Sequence, residues 1–156
     1  MTHKADAPDP PDAQPTRDPQ QTAELAGRTL YATDRASQAL GMRITRMAPG
    51  EAHLTMTVRP DMVNGHHICH GGLIFALADS AFAFACNSYG DNTLAAGASI
   101  DFLAPGREGD VLTATARAVW RSGRSGIYES VVANQRNETI AIFRGRSQRI
   151  AGRFLD

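Results

Sequence analysis

The stretch from Asn64 to Asn87, NGHHICHGGLIFALADSAFAFACN, leaves this chain few options. It passes from a polar, glycine-containing loop into a segment that is apolar on every side, and a helix of that kind has to be buried. One charged residue, Asp79, sits inside it. A lone carboxylate in such surroundings is unfavourable unless it is protonated, paired or put to use. Gly71 and Gly72 fall where the helix should begin, so their backbone N–H groups, which lack intrahelical partners, are natural binders of a negative oxygen. One carboxylate, a set of amide donors and an apolar surround suggest attack on a carbonyl.

A helix that must be covered all round dictates what the rest of the chain has to supply. Met42 to Pro49 and Glu51 to Val58 read as two strands turning at Pro49-Gly50. In the second, His53, Thr55 and Thr57 alternate with Ala52, Leu54, Met56 and Val58, the pattern of a half-buried antiparallel strand. Four more strands follow the buried helix: Thr93 to Leu103, Asp110 to Arg121, Ile127 to Asn134 and Thr139 to Ile150. They are separated by Ala104-Pro105-Gly106, by Ser122-Gly123-Arg124-Ser125-Gly126 and by Asn137-Glu138. Short hairpins argue for an antiparallel sheet. The expected fold is therefore α+β, with a curved six-stranded antiparallel sheet wrapped around one central helix and a second copy covering the rest.

The amino-terminal part adds two pieces. Met1 to Gln20, rich in Pro, Asp, Gln and Thr, cannot bury a core and reads as a disordered tail. Thr22 to Leu40 reads as an amphipathic helix, capped by Thr22 and stopped at Gly41. With 156 residues the chain has the length of a single domain, residues 21–156.

Several function classes fall away on composition. A formal net charge of zero gives no basis for nucleic-acid binding. The longest apolar run, Leu73 to Cys86, is too short for a bilayer and carries Asp79. Two cysteines, Cys69 and Cys86, make no disulfide framework, and the first twenty residues hold no secretory h-region, so a reducing, cytoplasmic setting is expected. His66, His67, Cys69 and His70 match no zinc-ligand spacing, so no metal is expected.

The motifs Asn64-Gly65-His66, His70-Gly71-Gly72, Leu77-Ala78-Asp79 and Ala85-Cys86-Asn87 resemble those of the hotdog-fold acyl-CoA thioesterases of the phenylacetic-acid-degradation type. Ile100-Asp101-Phe102-Leu103-x-Pro105-Gly106 and Phe143-Arg144-Gly145 extend the likeness over residues 41–150. The resemblance implies hydrolysis of acyl- or aryl-CoA thioesters, phenylacetyl-CoA or hydroxyphenylacetyl-CoA foremost, without metal or other cofactor, by dimers or dimers of dimers. It makes Asp79 the catalytic carboxylate, either as base toward water or as nucleophile toward the thioester. It makes Gly71 N–H the holder of the developing oxyanion, and Asn64 the side-chain amide that orients water or polarises the carbonyl. His70 shapes the glycine turn, with a direct catalytic part as the alternative. Gly72, Arg107, Arg124 and Ser125 fall in regions where related enzymes contact CoA. Phe82 and Tyr89 are candidates for an aryl pocket, with core packing as the other use of Phe82. Two other functions share these features: an enoyl-thioester hydratase, which would pair an acid with a catalytic His, and a non-catalytic acyl-CoA-binding module.

Spacing adds a constraint of its own. Asp79 follows Gly71 by eight residues, roughly 12 Å along a helix axis. One carbonyl cannot reach both. Two helices antiparallel about a two-fold axis would set Asp79 of one subunit against Gly71 and Asn64 of the other.

Overall fold

The computed structural model describes residues 17–155. The element order is α1 (Pro19–Thr33), α2 (Arg35–Ala39), β1 (Arg43–Ala48), β2 (Glu51–Thr57), a short 3-10 turn (Pro60–Met62), α3 (Gly71–Asn87), β3 (Asp91–Phe102), β4 (Val111–Ser122), β5 (Ser125–Ala133) and β6 (Thr139–Arg153). The fold is α+β: six antiparallel strands in the order β1-β2-β4-β5-β6-β3 pack against α3, with α1 and α2 added at the amino-terminal side. None of the helices among the described residues is long and apolar enough to cross a membrane.

The hydrophobic alternation drives the sheet onto the helix. Leu54 and Met56 of β2, Leu112, Ala114 and Ala116 of β4, Tyr128 and Val132 of β5, and Ile140 and Phe143 of β6 are all buried in one core with Leu77, Ala78, Ala81, Phe82 and Ala85 of α3. Phe82 is fully buried, edge-on to Tyr128 at 5.5 Å between ring centroids and tilted against Phe143 at 5.7 Å. It is a core residue, as its all-apolar environment favours. The side of α3 turned from the sheet stays partly open along Gly72, Ala76, Asp79 and Ala83, which recur at helical spacing.

The amino-terminal helix departs from expectation at both ends. Its cap is Asp18, whose side chain accepts from Gln20 and Gln21 N–H at 3.2 and 3.3 Å; Thr22 instead donates its hydroxyl back to the Asp18 carbonyl. Asp at N-cap followed by Pro19 at the first helical position is a stronger start than Thr22. The helix therefore begins inside the stretch read as tail. The rest of that stretch, residues 1–16, lies outside the described residues. The helix also breaks at Asp34, which caps α2 by accepting from Ser37 N–H at 2.9 Å.

Strand β3 ends up at the far edge beside β6, although only the short 3-10 turn and α3 separate it from the β1–β2 hairpin in the chain. Leu94 to Ser99 are exposed along it.

Candidate active site

The loop before α3 is built by Asn64. Its Oδ1 accepts from His66 N–H at 2.9 Å and sits 3.5 Å from Ile68 N, while its backbone N–H donates to the Ile68 carbonyl at 2.8 Å. This local closure is what Asn side chains do in turns. With the carbonyl end engaged, the amide Nδ2 has no partner among the described residues and is left to donate outward.

The loop hands over to α3 through His70. At φ −61° and ψ 129° it takes the N-cap position, and its Nδ1 accepts the Gly72 N–H at 2.9 Å. That bond puts the ring proton of the neutral imidazole on Nε2. It also corrects the expectation of two open glycine amides: Gly72 N–H is taken. Gly71 N–H, one residue earlier, has no acceptor among the described residues and stands at the positive end of a 17-residue helix.

Asn64 and Gly71 open into the same cavity, of about 570 Å³, walled by Ile68, Cys69, Ile74, Phe102, Leu103 and Pro105. Its size falls in the range of small-molecule sites. Burial pushes the Cys69 thiol up to about 11, so it stays protonated and acts as an apolar wall. The apolar lining residues Ile68, Ile74, Phe102 and Leu103 escape periodicity arguments, because they come from a loop, a helix and a strand end; only the cluster Phe102-Leu103-x-Pro105 hinted at them.

Asp79 is elsewhere, two helical turns along α3 on its open stripe. It is half-buried and makes no hydrogen bond or ion pair among the described residues. Burial alone pushes its carboxyl above the usual aspartate value. A group poised this way is typical of functional sites. Within one chain, then, the amide donors share a cavity and the carboxylate does not.

The residues expected to meet CoA divide between the two ends of α3. Arg107 is exposed in the turn after the cavity, where its N–H donates to Asp110 at 2.9 Å. Arg124 and Ser125 lie at the β4–β5 hairpin beyond the carboxyl end of α3; Arg124 donates to the Arg149 carbonyl at 3.0 Å and Ser125 to Gln148 at 3.2 Å. Tyr89 lies at that end too, with Arg121 stacked 3.5 Å over its ring.

A sequence profile described as the thioesterase superfamily matches residues 66–141, from the loop before α3 into β6. Acyl-coenzyme A thioesterase PaaI of Escherichia coli K12 is 49% identical over 123 residues, spanning 79% of this chain and 88% of that protein. The chain belongs to the hotdog-fold thioesterase superfamily. Among solved structures, the E. coli PaaI protein from the phenylacetic acid degradation operon superposes with a TM-score of 0.86 at 45% identity, over 87% of this chain and 99% of that one. A mutant of the phenylacetic acid degradation protein PaaI from Thermus thermophilus gives 0.72 at 36% identity, over 75% of this chain and all of that one (100%). This is thus a PaaI-type acyl-CoA thioesterase, and the hotdog architecture expected from the motifs is the architecture found.

Proposed function

We propose that this thioesterase hydrolyses aryl-CoA thioesters, phenylacetyl-CoA and its hydroxylated relatives foremost, in composite sites shared by two subunits. The observation that carries the chemistry is the pair of unsatisfied groups on α3: the unpartnered, half-buried Asp79 carboxylate and the open Gly71 amide. Neither has a partner among the described residues, which leaves both available to a reacting thioester.

In the reaction, either Asp79 takes a proton from water as the water oxygen adds to the thioester carbonyl, that proton then passing to the departing sulfur, or the Asp79 oxygen itself adds and the mixed anhydride it forms is hydrolysed by water to the free acid and the regenerated carboxylate. The carbonyl electron pair moves onto oxygen, where Gly71 N–H and the Asn64 amide donate to it. Collapse of that intermediate breaks the C–S bond, and the CoA sulfur leaves and is protonated. His70 acts by holding the Gly72 amide and so aiming the Gly71 one. Gly72 serves by having no side chain, since a Cβ there would meet His70 Nδ1 at 3.1 Å. Arg107, Arg124 and Ser125 are assigned to the CoA moiety.

Assembly follows from distance and from exposed edges. Eight residues of helix keep Asp79 and Gly71 of one chain apart. The open stripe of α3 and the exposed edge of β3 are surfaces a second copy would cover; a long unpaired edge strand otherwise invites aggregation. The substrate class draws support from relatives named for phenylacetic acid degradation.

The test is thiol release from phenylacetyl-CoA and hexanoyl-CoA by wild type and Asp79→Asn. Steady turnover with a preference for the aryl substrate is expected, falling by about 100-fold or more in Asp79→Asn. Binding without turnover, an intact thioester after incubation, or an unaffected Asp79→Asn enzyme would each overturn the reading.

A further inference from the structure

Phe102 closes β3, and its register opposite Ala141 puts it on the core face of the sheet. A large aromatic there would ordinarily be buried. Phe102 is instead 52% exposed, because β3 is the edge strand and nothing lies beyond it among the described residues. What the ring does touch is the start of α3: a Cβ built on Gly71 would lie 3.1 Å from Phe102 Cζ and 3.4 Å from Cε1. The ring therefore rests on the residue that carries the open amide, and it forms part of the cavity shared with Asn64. Leu103, 58% exposed, continues the wall.

We propose that Phe102 determines acyl selectivity: its ring, seated on Gly71, is the surface against which a flat aromatic acyl group packs while its carbonyl oxygen takes the Gly71 N–H. This rests on the reading of Gly71 as the oxyanion donor. A carbonyl held at that amide places the acyl carbons within a few ångströms of the ring. An aromatic acyl group gains ring–ring contact there, in offset or edge-to-face geometry, which a linear chain lacks. About half of Phe102 is exposed, so an acyl group packed on it would lie between the ring and the second subunit of the proposed assembly. Gly71 is small for the same reason, since a side chain there would displace the ring from the amide.

The experiment compares kcat/KM for phenylacetyl-CoA and hexanoyl-CoA in wild type, Phe102→Leu and Phe102→Tyr, with Asp79→Asn as a separate control on the chemistry. The phenylacetyl-to-hexanoyl ratio should fall about 2- to 12-fold in Phe102→Leu, the worth of an aromatic pair, and return in Phe102→Tyr. Half of the ring is open to solvent, so Phe102→Leu empties little core; Phe102→Met gives the same reading should Leu prove unstable. A ratio left unchanged by Leu and Met, or a Tyr variant that behaves like Leu, overturns the role of Phe102. An active Asp79→Asn enzyme would instead sink the catalytic assignment, and the substrate ratio would still be measurable on that turnover.

Discussion

His70 Nδ1 lies 2.9 Å from Gly72 N–H and occupies it, which leaves Gly71 N–H as the open amide at the head of α3. Helix caps of this kind contribute on the order of 1 kcal/mol. His70→Ala should lower Tm by roughly 2–4 °C, the shift such a loss produces in a domain of this size, and reduce kcat more than it raises KM. His70→Asn restores an acceptor in a favoured capping residue and should recover most of both. Thermal unfolding and steady-state kinetics on the two variants check this. An Ala variant with wild-type kcat would mean that the cap does not aim the Gly71 amide.

Gly71→Pro removes that amide, and its added Cβ, 3.1 Å from Phe102 Cζ, also pushes on that ring. Proline is tolerated at the first helical position, and the residue before it, His70 at ψ 129°, already has the extended backbone that proline demands. The variant should fold, with Phe102 giving way slightly, and lose about 100- to 1000-fold in rate. Mixing it with Asp79→Asn and allowing subunits to exchange should restore about a quarter of wild-type activity if the sites are shared across a two-fold axis. Each mixed dimer then holds one intact site. No recovery on mixing, with exchange shown independently, would count against shared sites.

Asp79 sets the pH dependence. Burial raises its carboxyl above the usual aspartate value, and in the proposed chemistry the ionised form is the one that reacts. Activity should be full above that raised value and fall as pH drops through it. The acid limb of kcat/KM will therefore lie above about 3.9, where a free aspartate titrates. Stability runs the other way. The folded state holds the proton more tightly than the unfolded one, so this group stabilises least once pH has risen through its folded value. Asp79→Asn should accordingly be inactive yet melt higher than wild type at neutral pH. A lower Tm would indicate a structural partner for the carboxylate.

Ser130 offers a control far from the chemistry. It is fully buried on β5, in register with Ala116 and Phe143, and its hydroxyl has no hydrogen-bond partner among the described residues. Removing an unsatisfied buried hydroxyl loses no bond and ends a desolvation penalty. Ser130→Ala should match or exceed wild-type Tm and keep wild-type kcat/KM. A drop in Tm of several degrees would reveal a partner for the hydroxyl.

Local chemistry marked out much of this protein before any fold was known. The bounds of α3, Gly71 to Asn87, follow from two glycines at its head and an apolar run that tolerates no other structure. The strands follow from alternation between turn residues, and Asp79 stands out because it is the one charge in that run. These signals are carried by neighbours in the chain, where backbone preference and side-chain period act within a few residues. The splitting of the first helix at Asp34 and the Asp18 cap were also local, yet competed with equally plausible signals nearby. What no such signal carries is which distant segments meet. Tertiary structure placed β3 at the far edge beside β6, seated Phe102 on Gly71, and joined Asn64 and Gly71 in one cavity while leaving Asp79 outside it. Those relationships depend on strand order and register, which the burial of the whole sheet against α3 decides, because the sheet has to cover the apolar sides of the helix while leaving its Asp79 stripe open.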